Sequence, residues 1–132
     1  MKPPMDADAR RWMDGITERI IGCAYTVGTG LGSGFLEKVY ENALCHELRK
    51  VGFAVEQQRS LRVCYDGVIV GDYVADVVVE GRVIVELKAV RALDDIHVAQ
   101  CLNYLKATGL SLCLLLNFGT ARVQVKRIVH EF

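Results

Sequence analysis

The sequence predicts an α/β fold: one mixed β-sheet with α-helices packed on its faces. Three observations carry the prediction. Apolar residues recur at helical spacing through the first fifty positions and again after Asp94. Between these stretches lie short β-branched runs, punctuated by the turn dipeptides Asp66-Gly67 and Glu80-Gly81. After the last helical stretch comes a continuous apolar run, Leu110 to Phe118, the mark of a strand covered on both faces. The order helix, helix, three or four strands, helix, two strands fits helices layered on one sheet.

The elements follow in order. Residues 1–8 are expected to be a flexible N-terminus of a single domain spanning residues 1–132. Asp8 to Val27 forms a helix, because Trp12, Ile16, Ile20 and Cys23 or Ala24 share one face, with Trp12 as a core anchor. The stretch GTGLGSG, Gly28 to Gly34, is a flexible connector or a tight turn into the next helix. It is not a phosphate loop, since no Gly-Lys-Ser/Thr follows and no strand precedes it. A second helix runs from about Gly34 to Val51, with Arg49 and Lys50 in its last turn and Gly52 as its cap. Ala54 to Tyr65 is a strand with a polar kink at Gln57–Ser60, and Asp66-Gly67 turns it into a hairpin. Tyr73 to Val79 and Val83 to Ala89 pair antiparallel across the turn at Glu80-Gly81. Asp94 caps a third helix ending near Gly109. Leu110 to Phe118 and Arg122 to Val129 are the last two strands.

Composition narrows the class. The chain has 132 residues, 52% of them apolar, enough for a core without disulfide staples. Its five cysteines are scattered, with no CxxC pair, as in a reduced cytoplasmic protein whose thiols are small core residues. The first residues carry no apolar signal segment. The longest apolar run, LSLCLLLNF, falls short of the roughly 20 residues that a bilayer span takes. Net charge is zero, so a nucleic-acid partner would need a local basic patch.

The informative residues are polar ones in apolar runs. In VIVELKAV, Val83 to Val90, side chains alternate across the strand. Glu86 and Lys88 therefore share one face with Ile84, their alpha carbons about 7 Å apart. Asp76 interrupts YVADVVV, and the short hairpin can set it beside Glu86. Taken singly, Glu86 and Lys88 make a cross-strand or solvent-facing pair and Asp76 is structural. Together they are costly on a buried face. Two adjacent carboxylates repel unless a cation lies between them, and hard ions such as Mg²⁺ take oxygen ligands.

Two helices add candidates. Glu37 falls inside the apolar arc of Leu36, Tyr40, Ala43, Leu44, Leu48 and Val51, with Glu41 at its edge and Glu47 also within it. Glu37 either favours the helix dipole or aims inward at a metal. His97, Gln100 and Tyr104 lie along one flank of the third helix, as a polar surface stripe or as hydrogen-bonding groups facing the carboxylates.

Asp76 followed by Glu86-x-Lys88 resembles the PD-(D/E)xK nuclease superfamily, with Ala75 where the superfamily name has proline. Gln100-Cys-Leu-Asn-Tyr104 resembles the QxxxY motif of its RecB-type branch. Gly34-Phe-Leu-Glu37-Lys-Val-Tyr40 is similar to the signature of the small bacterial GxxExxY family. The likeness runs from about residue 15 to the C-terminus. It implies a restriction-endonuclease-like mixed sheet flanked by helices, and a divalent-metal-dependent nuclease acting on DNA in preference to RNA. By resemblance, Asp76, Glu86 and the Leu87 backbone carbonyl hold Mg²⁺ or Mn²⁺, and Glu37 completes the site directly or through water. Lys88 orients or activates the attacking water. Gln100 positions Lys88 or a substrate phosphate, with Tyr104, Tyr40 and His97 in support. A homodimer is compatible with cutting both strands. The alternative is a catalytically silent module that binds nucleic acid or protein on the same fold.

Overall fold

The computed structural model describes residues 7–130. Its elements are α1 (Ala7–Leu31), α2 (Glu37–Lys50), β1 (Val55–Tyr65), β2 (Val68–Val79), β3 (Val83–Lys88), α3 (Asp95–Thr108), β4 (Leu112–Asn117) and β5 (Gln124–Val129). The five strands form one sheet in the order β1-β2-β3-β4-β5. β3 and β4 run parallel, joined by the crossover helix α3, and the other neighbours are antiparallel. This is the expected mixed sheet flanked by helices, with three strands between α2 and α3.

Each face of the sheet has its own core. On one, Ile16, Ile20 and Ala24 of α1 and Leu44 and Leu48 of α2 pack on Val83, Val85, Leu87, Leu114 and Leu116. On the other, Cys101, Tyr104 and Leu105 of α3 pack on Ile84, Cys113 and Leu115. β4 is buried at all six positions, as its unbroken apolar run predicts. Each large aliphatic side chain so buried stabilises the fold by about 1.5–3 kcal/mol. Apolar side chains cover most of β3, so a polar group on it needs a partner close by.

The structure differs from the sequence expectations in four places. The first helix does not stop at Val27 but continues through Gly28–Leu31, ending where Gly32 turns with φ 70°. Of residues 1–8, expected to be flexible, residues 1–6 lie outside the described residues, while Ala7 and Asp8 are helical. β2 begins at Val68 instead of Tyr73, because Val63 and Arg62 of β1 pair with Gly71 and Asp72 and carry the ladder through that polar stretch. Trp12 is no core anchor: it is 45% exposed, with the Arg82 guanidinium over its ring.

Candidate active site

β2 and β3 pair over three positions only: Val77 with Val85, Val78 with Ile84 and Val79 with Val83. One step further, side chains replace the ladder. Glu86 Oε1 accepts the backbone N–H of Asp76 at 2.9 Å, and Asp76 Oδ2 accepts the backbone N–H of Leu87 at 2.9 Å. The strands part there and two carboxylates fill the opening. A strand residue's N–H and C=O point to the same edge, so the Leu87 carbonyl faces this opening too. Lys88 closes β3, half-buried, on the Glu86 face.

The electrostatics follow from that packing. Glu86 is 3% exposed. Burial first, and then the charge of Asp76, push its carboxyl up to about 9. Burial also raises Asp76, against the Leu87 N–H and the Lys88 charge, which favour its ionised form. The two side chains share a hydrogen bond. At neutral pH, then, the protonated form of Glu86 is favoured, which relieves the repulsion between the two acids.

A third carboxylate lies close by, and it is not Glu37. Glu37 is the first residue of α2, and its side chain is exposed along with those of Lys38 and Val39. One turn later Glu41 is buried, and its charge reaches Asp76. Its Oε2 accepts from Lys38 Nζ at 2.8 Å and Gln57 Nε2 at 2.5 Å, and its Oε1 accepts from Gln58 Nε2 at 2.7 Å. Gln58 lies opposite Asp76, between the pairs Gln57 with Val77 and Arg59 with Ala75, and has φ 56°. The polar kink expected at Gln57–Ser60 thus clamps Glu41.

α3 delivers its flank. Gln100 Nε2 donates to Tyr104 Oη at 2.8 Å. Burial first, then the charges of Glu86 and Asp76, push the Tyr104 hydroxyl up to about 12, so this pair lies within reach of both acids. Gln100 is bonded to Tyr104 and not to Lys88. His97 turns its Nδ1 to the Asp94 backbone N–H at 3.0 Å, which fastens the start of α3. Tyr40 is buried and serves the scaffold: its hydroxyl donates to Gly32 O at 2.6 Å, and its ring stacks on Phe118 at 4.7 Å. It fixes the turn from α1 into α2.

Two positioning residues escaped the sequence reading. Glu41 is one, marked in the sequence only by its place at the edge of the apolar arc. Asn117 is the other, opposite Lys88 in the β3–β4 register and fully buried. Its Oδ1 accepts from Val90 N and Gly119 N, each at 3.0 Å, and its Nδ2 donates to Val90 O at 2.9 Å and Gln124 Oε1 at 3.0 Å. It ties down the chain just after Lys88. Gly119 must be glycine here, because a Cβ would meet Val90 O at 2.3 Å.

The donor set fits a hard divalent ion. Asp76 and Glu86 lie together where the β2–β3 ladder ends, and a cation between them would relieve their repulsion. No cluster of three or more His, Cys, Asp and Glu side chains is arranged to hold a metal among the described residues. The fitting set is therefore two carboxylates with the Leu87 carbonyl, while the oxygens of Glu41 are taken up by Lys38, Gln57 and Gln58.

Comparison with known proteins bears on the fold and the family. A crystal structure described as that of SSO0001 superposes with a TM-score of 0.52 at 19% sequence identity, over 92% of this chain. The chain spans 62% of that protein's length, and the likeness is one of fold. Among curated proteins none matches. No helix is long and apolar enough to cross a membrane among the described residues. The sequence model of the PD-(D/E)XK nuclease superfamily matches residues 14–128, a span that holds Asp76, Glu86 and Lys88 together with every strand up to Ile128. The chain belongs to the PD-(D/E)XK nuclease superfamily.

Proposed function

We propose that the protein is a divalent-metal-dependent nuclease that hydrolyses phosphodiester bonds, in DNA before RNA. The observation that carries this is the opening between β2 and β3. There Asp76 and Glu86 hold each other's strands by the backbone, with Lys88 on the Glu86 face.

Asp76, Glu86 and the Leu87 carbonyl would hold Mg²⁺ or Mn²⁺. When bound, the ion supplies Lewis-acid stabilisation of the charge that builds on phosphorus. Lys88 orients the attacking water and offsets the same charge. Water adds to phosphorus as the bond to the leaving oxygen breaks; the attacking water gives a proton to solvent, and the leaving oxygen takes one from it. Glu41 acts as a positioning residue, since its charge reaches Asp76 and its clamp joins α2 to β1. Gln100 with Tyr104 meets the substrate phosphate. Glu37 serves the N-terminus of α2.

The likeness to the GxxExxY proteins and to the RecB-type branch is part of this proposal, resting on the motifs quoted above. So is a cytoplasmic setting, which the free cysteines suit. One centre suffices to cut one strand; a homodimer would supply two.

The test is cleavage of labelled single- and double-stranded DNA and of RNA in Mg²⁺ and in Mn²⁺, with chelator as control. Metal-dependent cleavage that Asp76→Ala abolishes supports the proposal. Intact substrate under every condition would favour a catalytically silent binding module on the nuclease fold.

A further inference from the structure

Two cavities meet along the outer flank of α3. The first, about 450 Å³, is bounded by His97, Gln100 and Tyr104 of the helix and by Tyr73 of β2. The second, about 500 Å³, is bounded by Lys106 of the helix and Arg62 of β1. Tyr73 and Asn103 line both, so the two form one open trough. It starts at the Gln100–Tyr104 pair, and along β2 it passes from Tyr73 to the Arg62–Asp72 pair, away from Asp76. From His97 to Lys106 the helix advances about 14 Å.

The chemistry changes along its length. The near end sets the polar groups of His97, Gln100 and Tyr104 beside Ile96 and Ala99. The middle is aromatic: Tyr73 is 45% exposed, and its ring is braced by Tyr104 with centroids 5.6 Å apart at 60°. The far end is basic in a chain with no net charge. Arg62 and Lys106 are exposed, and no acidic side chain lines their cavity. Neither forms an ion pair among the described residues.

An exposed ring followed by two cations suits a single strand, with a base stacked on the ring and phosphates on the cations. A duplex keeps both faces of its bases stacked inside, so it has no free face to offer Tyr73. We propose that the trough binds single-stranded nucleic acid flanking the scissile bond. One base stacks on Tyr73, Asn103 meets its edge, and the next phosphate lies between Arg62 and Lys106. The proposal rests on the nuclease reading and names the substrate class of that same site.

The test is fluorescence anisotropy with labelled oligothymidylate, oligouridylate and a DNA duplex, in Ca²⁺ to limit cutting. Single strands bind more tightly than the duplex, and the better of the two distinguishes DNA from RNA. Tyr73→Ala weakens single-strand binding about tenfold, and Tyr73→Trp restores it. The double variant Arg62→Gln, Lys106→Gln lowers the slope of log affinity against log salt by about 1.4. The rise in Tm with Mn²⁺ is measured on each variant and matches wild type, which reports on the carboxylate site separately. Equal binding of duplex and single strand, or wild-type affinity in Tyr73→Ala, overturns the trough while leaving the nuclease reading intact. Loss of the Mn²⁺ response in the wild type counts against the nuclease reading, and binding that depends on Tyr73 would still support the trough.

Discussion

Glu86 accepts the backbone N–H of Asp76 at 2.9 Å, while Asp76 accepts that of the next residue along, Leu87, at 2.9 Å. Each acid thus completes the hydrogen bonding of the other's strand where the β2–β3 ladder ends. The same bonds that hold the strands apart bring two carboxyl groups together in a buried place, and their repulsion sets the chemistry of the site.

Stability without metal should fall with rising pH. The Glu86 carboxyl, ordinarily near 4.5, is pushed up to about 9 by burial and by Asp76. The native state therefore keeps a proton that the unfolded chain releases. The resulting stabilisation is full below the unfolded value and is lost as pH rises toward the folded one. In chelator, Tm falls between about pH 5 and pH 9, and Glu86→Gln flattens this profile and raises Tm at about pH 8 by about 5 °C. A variant profile parallel to that of the wild type would contradict the raised carboxyl.

Divalent ions should stabilise the fold through the same acids. Mg²⁺ at about a hundred times its dissociation constant adds about 2.7 kcal/mol, or about 8 °C in Tm for a domain of this size. Asp76→Ala loses that response in a thermal melt. An equal shift in the variant would remove Asp76 from the metal site.

Glu37 and Glu41 should separate cleanly in urea unfolding. Glu37→Ala, at an exposed position, changes stability by less than about 0.5 kcal/mol. Glu41→Ala removes the buried carboxylate that Lys38, Gln57 and Gln58 share and costs about 1–2 kcal/mol. The reverse order of effects would mean that the inward carboxylate of α2 has been misassigned.

Asn117→Ala should cost about 2–3 kcal/mol, because it leaves the Val90 backbone groups beside Lys88 without partners. Chemical denaturation gives the number directly. A change below about 0.5 kcal/mol would show that β4 does not hold the end of β3.

The sequence was most legible where polar residues break a strand pattern. Asp76, Glu86 and Lys88 could be read because strand alternation has period 2 and apolar neighbours leave few other places for them. Gln100 and Tyr104 were legible because residues four apart share a helix flank. Glu37 differs from these for a physical reason. Its angle on the helical wheel is inward, but at the first residue of α2 its side chain is exposed, whereas Glu41 at the arc's edge is buried and meets the amides of β1. Angle gives direction, and only the tertiary structure gives what lies in that direction. The same holds for Gly28–Leu31, whose glycines read as a connector while α1 runs on through them. It holds for Asn117, whose partners come from the loop after β3 and from Gln124.

The most direct measurement compares wild type with Lys88→Ala, following Mg²⁺-dependent cleavage and the Mg²⁺-induced rise in Tm on the same preparations. The expected result is a cleavage rate lower by about 100-fold or more in the variant, with the rise in Tm retained, because the proposal has Lys88 act on water and phosphate and not as a metal ligand. Equal cleavage by both proteins would contradict the role of Lys88 and, with it, a nuclease centre at this opening.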